Sequence, residues 1–123
     1  MKIQVAQMTD LDLVKDITDQ TIREIYSFYY PAGVVEFFLA HHNRENLLRD
    51  INAQLVFLLF SGEKSIGTVT VRGNEICRLF VRPSYQKKGF GQHLLHFAER
   101  KIFENYDAIC LDSSLPAKGM YLK

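Results

Sequence analysis

Residues 55–83 carry three strand-like runs, "LVFLLF", "SIGTVTVR" and "EICRLFVRP", separated only by "SGEK" and "GN". Connections that short cannot cross over a sheet, so each strand must turn back beside the last, and Gly62 and Gly73-Asn74 supply the turn chemistry. An antiparallel meander follows. Beyond it, Leu94, Leu95, Ala98 and Ile102 form one apolar stripe of a helix lasting to about Glu104, and "AICLDSS" reads as one more strand. Strand, helix and strand in that order make a β-α-β unit whose two strands run parallel. A ligand at the carboxyl end of that unit meets the loop at residues 82–91.

The first half of the chain supplies the cover for such a sheet. "KIQVAQMT" alternates Ile3 and Val5 with Gln4 and Gln7, the pattern of a half-buried strand. Val14, Ile17, Thr21, Ile25 and Phe28 then recur at helical spacing, with Thr9 or Asp10 as cap and Asp12 in the first turn. Pro31-Ala32-Gly33 punctuates. "VVEFFLAHHNRENLLRDI" is a second helical pattern, with a break expected near His42-Asn43. The element order is β-α-α-β-β-β-α-β, with "LPAKGMYLK" as the start of a further helix.

A chain of 123 residues makes one domain, residues 1–123, and its 47% hydrophobic content supports a real core. A net charge of +1 excludes a global field toward nucleic acid or membrane, so any positive site is local. Cys77 and Cys110 sit inside apolar strand runs and read as reduced core residues, which predicts a cytoplasmic setting; a cross-strand disulfide is the alternative. "MKIQVAQMTDLD" lacks the apolar centre of a signal peptide, and the run at residues 55–60 is too short to span a bilayer.

The loop is "VRPSYQKKGFG", residues 81–91. Backbone N–H groups at a helix start have no acceptor inside the helix, and they bind anions with the help of the helix dipole. Gly89 and Gly91 remove side chains that would block that approach, and Lys87 and Lys88 add charge. Taken alone, these features leave phosphate binding and a plain strand–helix turn both open. Neither the Gly-Lys-Ser/Thr ending of a P-loop nor the third glycine of a dinucleotide fingerprint is present. Gln86-Lys87-Lys88-Gly89-Phe90-Gly91 instead matches Gln/Arg-x-x-Gly-x-Gly/Ala after "LFVRP". It resembles the pyrophosphate-binding motif of the GNAT superfamily of acetyl-CoA-dependent N-acetyltransferases, and the element order resembles that superfamily's from its first strand to its fifth.

The resemblance implies an α/β (α+β) fold: a mixed, mostly antiparallel sheet with a central β-α-β unit and flanking helices. It implies acetyl-CoA as cosubstrate, with backbone groups of Phe80 and Val81 pairing with the pantetheine arm and the amides of Gln86, Lys87, Lys88, Gly89, Phe90 and Gly91 holding the pyrophosphate. A small-molecule or peptide amine would attack the thioester directly, while a backbone N–H of the fourth strand polarises the carbonyl oxygen. Tyr121 falls where the family often places a tyrosine that protonates the leaving sulfur; an aromatic packed on cofactor or core is the other reading. Glu75 is the candidate base, against a solvated hairpin glutamate.

Other residues have plainer readings. Arg78, mid-strand between Ile76 and Phe80, calls for an acidic partner: a structural ion pair with a helix residue, or else the acceptor. His41-His42 are placed on the acceptor side. His93 and His96, three apart on a helix, are a partly exposed face and not a metal site, since no ligand set accompanies them. The aromatics at 28–30 are read as substrate wall or core.

The chain departs from the family pattern after "MYLK", where relatives continue with Gly-Phe and two more strands. A truncated gene product, a shortened expression fragment and completion by a partner chain are the three explanations. A shortened GNAT domain that binds a CoA ester without turning it over is therefore the alternative function. A nucleic-acid module built on the lysine loop is disfavoured by the near-neutral charge, and exposed sheet edges leave a homodimer open.

Overall fold

The computed structural model describes residues 1–111. Its elements are β1 (Lys2–Val5), α1 (Leu11–Ile25), α2 (Ala32–His41), α3 (Arg44–Asn52), β2 (Val56–Ser61), β3 (Lys64–Arg72), β4 (Glu75–Val81), α4 (Phe90–Phe103) and β5 (Cys110–Leu111), with single 3-10 turns at Met8–Asp10, Tyr26–Phe28 and Pro83–Tyr85. The five strands lie in the order β1-β2-β3-β4-β5. The first four are antiparallel, and β5 runs parallel to β4 through Glu75↔Cys110 and Ile76↔Leu111. The meander and the β-α-β unit are both as expected. Gly62 (φ +63°) and Gly73 (φ +60°) take the left-handed positions that the two tight hairpins require.

The sheet is covered on both faces. Strand alternation sends Leu58 and Phe80 to one side and Leu59, Leu79 and Val81 to the other. The first side packs under α1–α3 with Val14, Ile17, Leu39, Leu47 and Ile51. The second packs under α4 with Leu94, Ala98 and Ile102. Two bulges adjust the register. Ile66 has no partner between Leu59↔Gly67 and Phe60↔Ser65, and Cys77 has none between Thr70↔Arg78 and Val71↔Ile76. Gly67 is where β3, β4 and α4 come closest: a Cβ there would lie 2.6 Å from the Phe80 carbonyl oxygen and 3.0 Å from Leu94 Cδ1.

Several expectations need correction. The first helix ends at Ile25, and a tighter 3-10 turn follows. The change from 3.6 to about 3 residues per turn shifts the phase, so Tyr26 enters the core and Phe28 is 83% exposed. Of the aromatics at 28–30, Phe28 and Tyr29 therefore form no core, and only Tyr30 is half-buried. Asp10 caps α1 by position alone; its carboxylate accepts the Gln7 N–H (2.8 Å) within the preceding turn. The long helical pattern breaks at His42-Asn43, where Asn43 Oδ1 accepts the Asn46 N–H (2.9 Å) and starts α3. Both cysteines lie on strands as free thiols, but Cys110 is exposed and Cys77 half-buried in its bulge, so neither is a core residue. The bulge turns Cys77 out of register, and Cys110 sits at the start of the outermost described strand.

Candidate functional site

The loop between β4 and α4 is shaped by its backbone. Lys87 (φ +63°) and Gly89 (φ +87°) are both left-handed. Backbone that alternates the sign of φ converges successive N–H groups on a concave side, where they donate to an anion. Lys87 holds this conformation with a side chain, at a cost in strain that draws attention to the position. Gly89 is N-cap of α4, and a Cβ there would meet nothing within 4 Å, so glycine serves the backbone angle and not the packing. The first intrahelical bond of α4 runs from His93 N–H to Gly89 C=O (3.1 Å), which leaves the amides of Phe90 and Gly91 without a helical acceptor. Lys87, Lys88 and Gly89 are exposed, and the Lys88 ammonium lies 5.8 Å above the Tyr85 ring.

Two side chains fasten the loop to the sheet. Gln86 Nε2–H donates to the Val81 carbonyl (2.9 Å) and so ties the loop to the end of β4. Arg82 spreads its guanidinium over two elements: Nη1 to Asp16 Oδ2 (2.7 Å) and Gln20 Oε1 (2.8 Å) on α1, and Nε to the Ser65 carbonyl (2.8 Å) and Nη2 to Ser65 Oγ (2.9 Å) on β3. Neither role was visible in the sequence, although an arginine just before the loop proline was the available signal.

The strand beside the loop has an edge at Leu79 and Val81 that no described strand covers, and on it the Val81 carbonyl accepts from Gln86 Nε2–H (2.9 Å) and Thr21 Oγ1–H (3.3 Å). Arg82 N–H donates to Ile66 C=O (2.9 Å), which makes Gly67↔Val81 a pair of the non-hydrogen-bonded kind. The main-chain polar groups of Val81, and by alternation those of Leu79, thus point away from β3. Those of Phe80 turn toward Thr68. Among the described residues, β5 pairs with β4 only at Glu75 and Ile76, so no strand faces Leu79 and Val81. Of the two residues expected to offer backbone to a cofactor, Val81 lies on this edge. The main-chain groups of Phe80 face Thr68, and its side chain lies in the core against Tyr26 and His42.

The sequence profile of the acetyltransferase (GNAT) domain matches residues 14–123. The chain belongs to the GNAT acetyltransferase family. No curated protein matches it in sequence. Among solved structures, this GNAT domain is similar to a GCN5-related N-acetyltransferase from Rhodopseudomonas palustris (TM-score 0.89, 18% identity, 98% of this chain and 78% of that one). It is also similar to the PaiA N-acetyltransferase from Thermoplasma acidophilum in complex with coenzyme A (TM-score 0.72, 23% identity, 84% of this chain and 72% of that one). A third likeness is to the GphF GNAT-like decarboxylase in complex with isobutyryl-CoA (TM-score 0.61, 17% identity, 80% of this chain and 57% of that one).

Under the β4 strand of this GNAT domain lies a buried charge network. Arg78, 6% exposed, donates from Nη1 to Asp50 Oδ2 (2.6 Å) and from Nε to His42 Nδ1 (2.9 Å). Arg72 Nη2 reaches the other Asp50 oxygen at 2.7 Å. Burial would raise the Asp50 carboxyl, but the hydrogen bonds from Arg78 and Arg72 outweigh it and hold it below its ordinary value. Burial and the Arg78 charge bring His42 down to about 3, so the ring is neutral, with Nδ1 as acceptor. Arg78 has the helix carboxylate expected of it. Of the two histidines expected on the acceptor side, His42 is buried in this network and His41 is exposed.

Glu75 is exposed at the far end of β4 from the loop, about 20 Å along the strand at the usual rise. Its Oε1 lies 3.3 Å from Cys77 Sγ. Burial and that hydrogen bond push the Cys77 thiol up to about 11, which makes it a poor nucleophile. His93 and His96 are exposed on α4, and the described residues contain no group of three or more His, Cys, Asp or Glu able to hold a metal ion. No helix among them is long and apolar enough to cross a membrane. Tyr121 and the helix expected at "LPAKGMYLK" lie outside the described residues.

Proposed function

We propose that this chain is an N-acetyltransferase that moves acetyl from acetyl-CoA to a primary amine. The observation that carries the reading is the junction of two features: a β4 edge at Leu79 and Val81 that no described strand pairs, although the Val81 carbonyl is held by Gln86, and a loop of converging N–H groups at the start of α4 directly beyond it. Such an edge suits the amide-bearing pantetheine arm, which adds to the sheet as a short strand. The loop of Gln86, Lys87, Lys88, Gly89, Phe90 and Gly91 suits the pyrophosphate. In this reading the thioester end of the arm lies against β4 near Leu79.

The reaction there needs no covalent enzyme intermediate. The amine nitrogen bonds to the thioester carbonyl carbon, the C–S bond breaks, and the electron pair leaves with sulfur. The nitrogen gives up one proton and the thiolate takes one, so the products are the N-acetyl amide and free CoA. The Leu79 N–H faces the edge where the oxyanion develops. Glu75 is the candidate to take the proton, and Tyr121 the candidate to supply one to sulfur. The Cys77 thiol, held protonated, is not a rival nucleophile.

The test is CoA thiol release from acetyl-CoA across a panel of primary amines, with Tyr121→Phe and Glu75→Gln beside the natural chain. Amine-dependent release that falls in both variants supports the assignment. Saturable acetyl-CoA binding without any release would instead make this a CoA-ester-binding domain.

A further inference from the structure

The carbonyl of Val81 stands where a further strand of the sheet would donate to it. The pair Gly67↔Val81 is of the non-hydrogen-bonded kind, so this oxygen turns away from β3, and among the described residues β5 reaches β4 only at Glu75 and Ile76. Gln86 fills the position instead: its Nε2–H donates to the Val81 oxygen at 2.9 Å, five residues back along the chain. The Thr21 hydroxyl comes within 3.3 Å, but it has one proton, and the Ile17 carbonyl is the nearer acceptor at 2.8 Å. Water is a poor substitute, since Val81 is 1% exposed, and a buried carbonyl left without a donor is costly. Gln86 is therefore the main partner of this oxygen.

The carboxamide of Gln86 belongs to the same chemical class as the amides of a pantetheine arm. Each presents an N–H that a strand carbonyl can accept, and a donor standing in the ladder direction keeps a second one out of it. An arm laid along Leu79 and Val81 thus meets a side chain already in its place. That side chain can leave cheaply. Gln86 is half-buried in the loop, and the start of the loop is held independently by the four hydrogen bonds of Arg82 to α1 and β3. The Pro83–Tyr85 turn keeps its own bond, from Tyr85 N–H to Arg82 C=O at 2.9 Å. Releasing Gln86 breaks one hydrogen bond and rotates side-chain torsions; no strand or helix has to move.

Resting on the acetyl-CoA reading, we propose that the Gln86 side chain is an autoinhibitory stand-in for the pantetheine arm. It occupies the Val81 carbonyl in the ligand-free chain and swings away when an amide of the arm takes that carbonyl. One N–H···O bond is exchanged for another, so the bond that Gln86 gives up lowers the affinity of the arm. The loop amides that suit the pyrophosphate stand outside this competition.

The test is an NMR titration of the natural chain with acetyl-CoA and, separately, with ADP, which has the pyrophosphate and no arm. Acetyl-CoA should shift the Gln86 side-chain amide resonances and speed their exchange with water, while ADP should leave them in place. Gln86→Met keeps the length and removes the donor. By calorimetry it should bind acetyl-CoA about fivefold more tightly, the worth of one ordinary hydrogen bond, with ADP affinity unchanged. Acetyl-CoA that binds while the Gln86 amide stays bonded, or a variant that binds it no more tightly, overturns the proposal while the acetyl-CoA reading stands. A variant that weakens both ligands also overturns it, and makes Gln86 a fastener of the loop alone. A folded natural chain that binds neither ligand removes the underlying reading as well.

Discussion

The Nε–H of Arg78 donates to Nδ1 of His42 at 2.9 Å, deep between the sheet and α2–α3. That bond requires a neutral imidazole, and it makes folding sensitive to acid. His42 binds its proton with a pKa of about 3 when folded and 6.5 when unfolded, so between those values the unfolded chain holds more protons. The His42 contribution is therefore complete above 6.5 and is lost as pH falls toward 3, at up to about 1.4 kcal/mol per pH unit. Asp50, lowered from its ordinary 3.8, adds a loss of the same sign below that value. Denaturant unfolding from pH 7.5 to pH 4 should show midpoints falling steadily below pH 6.5, and less so in His42→Asn. A flat profile would refute the buried neutral histidine.

Asp50 answers two arginines at once, and its side chain is 3% exposed. Asp50→Ala leaves Arg78 buried without a counter-charge. The expected loss is about 3–5 kcal/mol, the range for breaking one partner of a buried pair. Replacing both ends, as in Asp50→Leu with Arg78→Met, should cost less than the single alanine change. Urea midpoints and slopes decide this, and a single change costing under about 1 kcal/mol would mean the pair is more solvated than its geometry indicates.

Gly67→Ala places a methyl 2.6 Å from the Phe80 carbonyl oxygen. The strands or α4 must shift to admit it, for about 1–3 kcal/mol of stability. Leu94, the other near neighbour, is in the first turns of α4, so the shift should also disturb the loop and weaken acetyl-CoA binding. Thermal unfolding and calorimetry on the same sample test the two effects together.

Arg82→Ala removes four hydrogen bonds that join α1, β3 and the start of the loop. The loop amides should lose their set position, and the KM for acetyl-CoA should rise about tenfold, near 1.4 kcal/mol. The kcat should change far less. Arg82→Lys should not restore the KM, because an ammonium cannot span the same fork of acceptors. A fall in kcat at unchanged KM would contradict a positioning role.

Much of this architecture was legible in the sequence, because its signals are local. Short hairpin connections around Gly62 and Gly73 dictate a meander, and the stripe from Leu94 to Ile102 dictates a helix that crosses to a parallel strand. The loop motif was legible for the same reason: its conformation is written in neighbouring residues. What escaped is set by packing across the chain. The phase change that exposes Phe28 depends on a 3-10 turn that no spacing announces. The choice of Leu79 over Phe80 as the edge residue follows from the register against β3 and the bulge at Cys77. The Arg82 clamp joins residues more than sixty positions apart. Arg78 is the instructive middle case, since a charge in mid-strand demands a partner although only the fold names Asp50.

Calorimetric titration of acetyl-CoA into the folded 123-residue chain, beside Gly89→Val, tests the central claim most directly. A β-branched side chain cannot comfortably take the φ of +87° that the loop needs at residue 89. The account predicts saturable one-to-one binding by the natural chain and at least a tenfold loss in the variant, about 1.4 kcal/mol or more. No binding by the natural chain, or equal binding by the two, would contradict it.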